Sequence, residues 1–154
     1  ERIRHIFGRY DCENASAYYG DFRLNEDAFE TLPLMSMSKS THNIMGAIDY
    51  QTVMRKRTEN WQLLHEHLKN KNPLDLKNHQ GPYMYPFYSK HAAEIKLKMA
   101  QKQIYIPLLW PSVKDTNASD FEKDLAGNIL PLPIDQRYGI QDMSRLLDEL
   151  LKYI

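Results

Sequence analysis

The hydrophobic pattern is clearest between residues 50 and 69. Apolar side chains recur there at spacings of three, four and seven, which places them on one face of a helix. These side chains are Tyr50, Met54, Trp61, Leu64 and Leu68. Asn72-Pro73 closes the segment, and Thr41 or Asp49 precedes it as a capping residue. The sequence therefore predicts one long amphipathic helix.

Shorter patterns predict that helices and strands alternate along the rest of the chain. The apolar period and the capping residues predict helices at residues 25–32, 90–101, 119–125 and 140–153. Aromatic and branched apolar runs predict strands at residues 83–88, 104–106 and 129–134. This order predicts an α/β or α+β fold with helices packed on a sheet of three or four short strands.

Three local signals support particular elements of this prediction. Ser119 and Glu122 stand three residues apart, the spacing of a capping box at the start of a helix. Pro86 cannot donate to a sheet ladder, so its strand is predicted to lie at an edge. The apolar face of the last helix combines Ile140, Met143, Leu147, Leu150 and Ile154 with Leu146 and Leu151.

The first forty residues are assigned poorly. Gly8 and Gly20 interrupt the weak apolar pattern of residues 1–24, and residues 35–40 form a connection rich in Met and Ser. We therefore divide the chain into an N-terminal segment, residues 1–40, and a domain, residues 41–154. The first residue is Glu1, which suggests a processed product or a domain of a longer protein.

Composition and charge exclude several classes of protein. The 154 residues include 20 basic and 20 acidic side chains, whereas proteins that bind nucleic acid usually have a basic excess. No apolar run is long enough to span a membrane, and no signal peptide is recognisable. The single cysteine, Cys12, excludes an intrachain disulfide and is interpreted as a bystander thiol. We therefore expect a cytoplasmic protein that binds neither nucleic acid nor membranes.

Histidines offer the first candidate chemistry. His65 and His67 are two residues apart on the predicted helix, so their side chains point about 200° apart and cannot share one metal ion. Both are interpreted as solvated. A zinc site assembled from the distant His42, His79 and His91 has no cysteine partner to support it. The sequence therefore predicts no metal site.

Two aromatic and polar segments are the better candidates for binding. Tyr83, Tyr85, Tyr88, Tyr105 and Trp110 cluster around two predicted strands. Rings with polar tips suit a cleft for a sugar or nucleotide, although an aromatic layer inside the core would look the same.

The second segment, residues 131–139, ends a proline-rich strand just before a helix. It places Asp135, Arg137 and Tyr138 where ligands often bind. The alternative is a simple turn in which Asp135 or Gln136 caps the last helix. The substrate-binding candidates are therefore Tyr83, Tyr85, Tyr105, Trp110, Arg137 and Tyr138.

Several segments, in the same order, resemble the C-terminal small domain of the DegT/StrS family of sugar aminotransferases. They are Ile48-Asp49-Tyr50, Arg55-Lys56-Arg57-Thr58-Glu59-Asn60-Trp61, Leu64-His65-Glu66-His67-Leu68, residues 83–88, residues 103–111 and residues 128–138. The resemblance covers about residues 45–154. It implies a small, mostly antiparallel or mixed sheet packed with helices.

The resemblance also implies a function and partners. The family uses pyridoxal phosphate to move an amino group from glutamate to a nucleotide-linked keto-sugar. It does so in a homodimer, with the Schiff-base lysine on a large N-terminal domain. No Gly-Gly occurs in this chain, so the Gly-rich stretch that follows that lysine is missing. We therefore expect no catalytic or cofactor-binding residue here, and residues 1–40 would be a linker or a contact with the large domain.

Two other interpretations remain open. The chain is alternatively a stand-alone module that binds a ligand or a protein and has lost the chemistry. A third possibility is that its complete parent has lost the lysine, as some sugar dehydratases of the superfamily have.

Overall fold

The computed structural model describes residues 4–11 and 14–154. These residues form two compact units, Glu1–Ile48 and Asp49–Ile154. Cys12 lies outside the described residues, so its role stays a prediction. Within the described ranges, no helix is both long enough and apolar enough to cross a membrane.

The first unit consists of short helices. They are α1 (Arg4–Asp11), α2 (Tyr19–Ala28) and α3 (Lys39–Gly46), and a 3-10 turn at Ala15–Tyr18 precedes α2. His5 is buried and its ring meets that of Phe22 edge-on at 5.7 Å. No residue of α2 or α3 is buried. The large apolar side chains of Leu34, Met35, Met37 and Ile44 are all exposed.

The prediction for this unit was wrong about its helices. We predicted a helix at residues 25–32, but α2 ends at Ala28, and Asn14 caps the preceding 3-10 turn through Ser16. The connection predicted at residues 35–40 ends earlier, at Ser38, because the Ser38 hydroxyl accepts the backbone N–H of Thr41 at 3.1 Å and starts α3. A serine cap directly after Met37 was therefore missed.

The long helix of the second unit is confirmed as α4 (Tyr50–Leu68). Asp49 caps it by accepting the backbone N–H of Thr52 at 3.0 Å, and this hydrogen bond lowers the pKa of the Asp49 carboxyl. Trp61, Leu64 and Leu68 are buried as predicted. The first two turns of α4 differ from the prediction, because Tyr50 and Met54 are substantially exposed rather than buried.

The sheet contains two antiparallel strands, β1 (Met84–Tyr88) and β2 (Ile129–Pro133). In their register Tyr85 faces Leu132 and Pro86 faces Pro131. Because proline has no N–H, we infer that the Pro86–Pro131 pair exchanges no hydrogen bonds and that the neighbouring pairs do. The backbone polar groups of Pro86, Pro131 and Pro133 therefore point away from the partner strand.

Both edges of this sheet are closed, which explains why it has fewer strands than the three or four predicted. On the outer side of β1, Asn72 donates to the Pro86 carbonyl at 2.8 Å and accepts the Tyr88 N–H at 3.2 Å. On the outer side of β2, Pro131 and Pro133 have no N–H to offer, and the N–H of Ile129 bonds to Leu125 in the preceding helix. A third strand would find almost no free donors.

The strand predicted at residues 104–106 is absent because a helix end uses this segment. After α5 (Ala92–Gln101), Gln103 adopts a left-handed conformation with φ of 59°. The N–H groups of Gln103 and Ile104 then bond to Ala100 and Met99, at 2.9 and 3.0 Å. This pattern is a Schellman motif, and it buries Ile104 beside the helix.

The remaining helices follow the predictions more closely. The capping box of Ser119 and Glu122 is present at the start of α6 (Asp120–Asn128), which continues through Gly127 beyond its predicted end. The last helix, α7 (Ile140–Leu150), is shorter than predicted, and Ile140 is exposed. Its N-cap residue is Gly139, whose N–H bonds to the Asp142 carboxylate at 2.9 Å, so neither Asp135 nor Gln136 is the cap.

The core of the second unit joins one face of each long element. Its buried apolar side chains come from α4, β1, α5, β2 and α7, together with Ile104 after α5 and Ile134 after β2. Tyr85 and Phe87 of β1 lie opposite Leu132 and Leu130 of β2, and all four are buried. The fold is therefore mixed, with helices packed on a small antiparallel sheet, and it holds the end of β2 against α4.

Candidate functional site

A groove of about 340 Å³ lies where β2 ends beside α4 and the start of β1. We call this cavity the groove throughout. Its walls are aromatic rings, prolines and charged side chains. They are Arg57, Tyr83, Met84, Tyr105, Pro107, Pro131, Pro133, Ile134, Asp135, Gln136, Arg137 and Tyr138.

Four of the six predicted binding residues line the groove: Tyr83, Tyr105, Arg137 and Tyr138. The Tyr83 and Tyr105 side chains are about 70 % exposed, at 71 % and 72 %, so their rings are accessible to a ligand. The structure thus brings together residues from three separate segments of the chain.

The two other predicted residues lie elsewhere. Tyr85 is fully buried in the core, where burial raises the pKa of its hydroxyl. Trp110 is exposed but does not line the groove. Its backbone has a left-handed φ of 53° at the start of a 3-10 turn, Pro111–Asp115. Tyr88 also lies apart, with its hydroxyl donating to Asp124 at 2.8 Å.

Arg57 is the functional candidate that the sequence analysis missed. Its Nε donates to the Gln136 side chain at 3.0 Å, and its Nη1 donates to the carbonyls of Pro82 and Tyr83 at 3.2 and 3.4 Å. All of these acceptors are neutral. No ion pair in the described part of the chain includes Arg57, and Nη2 has no protein acceptor there. The guanidinium is held by neutral acceptors and forms no ion pair among the described residues, although its charge adds to the larger effect of Arg137 in lowering the pKa of the Asp135 carboxyl.

Arg137 is in the opposite situation. Its Nε and Nη2 both donate to the Asp135 carboxylate at 2.8 Å, a bidentate pair. These hydrogen bonds lower the pKa of Asp135 and raise that of Arg137. With two arginines and one aspartate, the groove lining has a formal net charge of +1. The excess positive charge belongs to Arg57.

The pair of Asp135 and Arg137 predicts an acid-dependent loss of stability. The folded pKa of Asp135 lies below its ordinary 3.8, so its stabilisation is complete above about pH 5 and is lost as the pH falls through the folded pKa. Asp135→Asn should therefore show a smaller loss of stability between about pH 5 and pH 2 than the wild type. Urea denaturation over a pH series measures this.

Arg137→Gln is the matched variant for that experiment. It keeps the carboxylate but removes the guanidinium, so it should lose the larger part of the same pH dependence. Wild-type slopes in both variants would show that the ion pair does not stabilise the fold.

The histidines form no metal site in the described residues. We predicted a solvated His65, but its side chain is half-buried. Its ring stacks on that of Trp61 at 4.3 Å, and its Nδ1 lies 3.3 Å from the Tyr85 hydroxyl. His67 is exposed, as predicted. Across residues 4–11 and 14–154 no three metal-ligating side chains come together.

Two other cavities of the second unit are weaker candidates. A cleft of about 570 Å³ along α4 is larger than the groove, but apart from Met54 only polar side chains line it, and no aromatic ring faces it. A pocket of about 130 Å³ lies between Gln103 and Leu146 and shares Tyr105 and Tyr138 with the groove. Arg145 of this pocket also forms no ion pair among the described residues, but Asp142 lines the pocket as well, so its lining has no formal net charge, whereas that of the groove is positive.

The groove does not fit pyridoxal phosphate as a resident group. Among its lining residues there is no lysine, so no amine of the described groove would form the Schiff base that holds the cofactor. What the groove offers is a cation, ring faces and peptide groups. These features suit hydrogen bonding and stacking with a ligand.

Comparison with known proteins gives no family for this chain. No protein-family model, no curated protein and no solved structure matches it. The function therefore has to be argued from the groove.

Proposed function

We propose that residues 49–154 are the substrate-side small domain of a pyridoxal-phosphate-dependent aminotransferase that acts on a nucleotide-linked keto-sugar. In this proposal a separate large domain and a second subunit supply the lysine and the cofactor site. The isolated chain binds the nucleotide part of the substrate but does not catalyse the reaction. The observation that carries the proposal is the Arg57 guanidinium, which lies in an aromatic groove, is held by neutral acceptors and forms no ion pair among the described residues.

The charge of the groove supports an anionic ligand. A guanidinium with a free Nη2 donates well to phosphate oxygens, and it cannot lose its proton at any ordinary pH. The Gln136 side chain and the Pro82 and Tyr83 carbonyls already fix its orientation. A ligand therefore meets a cation that needs little further ordering, which reduces the entropic penalty of binding.

The rings of the groove support a ligand with a planar or sugar part. The Arg57 guanidinium lies over the Tyr83 ring, 5.9 Å from its centre, and Tyr105 is similarly exposed. Aromatic faces stack on nucleobases and on sugar rings, and their hydroxyls form hydrogen bonds at the rim. A diphosphate near Arg57 with a base or sugar on these rings matches the groove best.

A titration tests the binding part of the proposal. We expect the isolated chain to bind UDP or dTDP more tightly than uridine or thymidine, with an affinity that falls as salt rises, because phosphate contacts are screened. Isothermal calorimetry at two salt concentrations measures both effects. Equal affinity for nucleoside and nucleotide would contradict an anion site at Arg57.

Two further observations separate an aminotransferase domain from a stand-alone module. A cofactor absorbance band from an aldimine in the isolated chain with added pyridoxal phosphate would contradict the non-catalytic role. The coding sequence upstream of Glu1 is expected to encode a lysine followed by a Gly-Glu-Gly-Gly-like turn. An upstream domain without that lysine, together with UDP binding, would favour the module instead.

A further inference from the structure

Asn60 is one of the few polar side chains buried in the core of the second unit, with 4 % of its surface exposed. Its Nδ2 lies 3.2 Å from the Ile134 carbonyl, 3.2 Å from that of Asp135 and 3.1 Å from that of Tyr138. One amide nitrogen has only two protons, so three acceptors share them. A single side chain of α4 is therefore hydrogen-bonded to three carbonyls of one short segment, residues 134–138.

The segment to which Asn60 is hydrogen-bonded forms one wall of the groove. Residues 134–138 all line the cavity. Within the segment, the Tyr138 N–H bonds to the Asp135 carbonyl at 3.1 Å and the Arg137 N–H to the Asp135 carboxylate at 3.0 Å. These short-range bonds close the turn, but in the part of the chain that the structure describes only the Asn60 amide attaches the carbonyls of the segment to the body of the domain.

The same helix also holds the cation of the groove. Arg57 lies three residues before Asn60, so both side chains project from neighbouring positions on α4. Arg57 contacts the Gln136 side chain, while Asn60 contacts the backbone on either side of it. The position of the wall relative to the guanidinium is therefore set within about one turn of α4.

We propose that Asn60 is the positioning residue of the groove. It fixes residues 134–138 relative to Arg57, so that a bound phosphate contacts both this wall and the Arg57 guanidinium. This inference rests on the proposed function for its ligand, but the positioning itself is a property of the free protein. Binding sites lose affinity when a supporting side chain lets the contacting groups shift by about 1 Å. Loss of the Asn60 amide also leaves three carbonyls, that of Ile134 buried and those of Asp135 and Tyr138 part-buried, with fewer donors.

The chain offers a matched control in Asn72. It is the other buried asparagine, 7 % exposed, and it also bonds to backbone groups, namely the Pro86 carbonyl and the N–H groups of Leu74 and Tyr88. None of these groups lines the groove. Asn60→Ala and Asn72→Ala therefore both remove a buried amide, but only Asn60→Ala removes the hydrogen bonds to the carbonyls of residues 134–138.

Hydrogen exchange in the ligand-free protein tests the positioning directly. We expect the amides of Arg137 and Tyr138 to exchange about tenfold faster in Asn60→Ala than in Asn72→Ala, once each is corrected for its global stability. Equal exchange in the two variants would overturn the inference. If Asn60→Ala does not fold, Asn60→Ser keeps one hydroxyl donor and should give an intermediate increase.

Titration with UDP then tests the link to binding. Asn60→Ala should weaken UDP about tenfold, whereas Asn72→Ala should stay within about twofold of the wild type. Wild-type affinity in Asn60→Ala would overturn the positioning role and leave the proposed function intact. If the wild type itself does not bind UDP, the proposed function fails, and the exchange rates still decide whether Asn60 holds the wall.

Discussion

Arg57→Ala should weaken the binding of UDP about ten- to 100-fold, because a hydrogen bond to a charged group contributes about 1.5–3 kcal/mol. Arg57 is the only cation of the groove without a carboxylate partner among the described residues. Its removal brings the formal charge of the groove lining from +1 to zero. Isothermal calorimetry at low salt measures the effect, and the salt dependence of binding should shrink with it.

Arg55→Ala is the control for this prediction. Arg55 precedes Arg57 by two residues on α4, is exposed, and pairs with Glu59 at 2.8 Å. It does not line the groove, so its loss should leave UDP binding within about twofold of the wild type, in keeping with the small contribution of an exposed pair. Similar losses in both variants would mean that binding reflects general charge. Arg57→Lys should be intermediate, because it keeps the charge but loses the forked geometry.

Trp61→Ala should lower the free energy of unfolding by about 3–5 kcal/mol, the range for removing a large aromatic from a core. Trp61 is 2 % exposed, stacks on His65 and lies 5.6 Å from the Tyr85 ring. The change leaves a cavity between α4 and β1 and removes the stacked partner of His65. Because whole domains are stable by only about 5–15 kcal/mol, the shift in the urea midpoint should be large.

Trp110→Ala is the matched variant, since the chain has only two tryptophans. Trp110 is 58 % exposed, so its loss should change the free energy of unfolding by less than about 0.5 kcal/mol. Each variant also keeps one tryptophan, whose fluorescence reports a buried environment for Trp61 and an exposed one for Trp110. Equal midpoints for the two variants would contradict the packing described for α4.

Elements that are specified by residues close together in the sequence were predicted correctly. The apolar period of α4, the aromatic run of β1 and the capping box of Ser119 and Glu122 are all confirmed. The width of the sheet was not predictable in this way. It depends on where the outward groups of Pro131 and Pro133 point and on Asn72, which lies 14 residues before Pro86. The Schellman motif was missed because Gln103, rather than a glycine, adopts the left-handed conformation.

The candidate site was predicted in part for a related reason. Its exposed tyrosines and the 134–138 segment are visible in the sequence, because unusual residue types cluster there. Arg57 and Asn60 are not, since their partners lie 74–79 residues further along the chain. On a helix that also has the exposed Arg55 and Lys56, nothing local distinguishes the side chains that point toward the end of β2.

The closed edges of the two-stranded sheet also affect how readily two molecules of the protein associate. A strand with free N–H and C=O groups along its side can recruit a strand from another molecule, which is how domain swapping and fibril growth begin. Here the prolines of both strands, the Asn72 amide beside β1 and the bond of the Ile129 N–H to α6 leave few outward N–H groups free. The most apolar segments of the second unit are thereby kept from acting as templates for one another in concentrated solution.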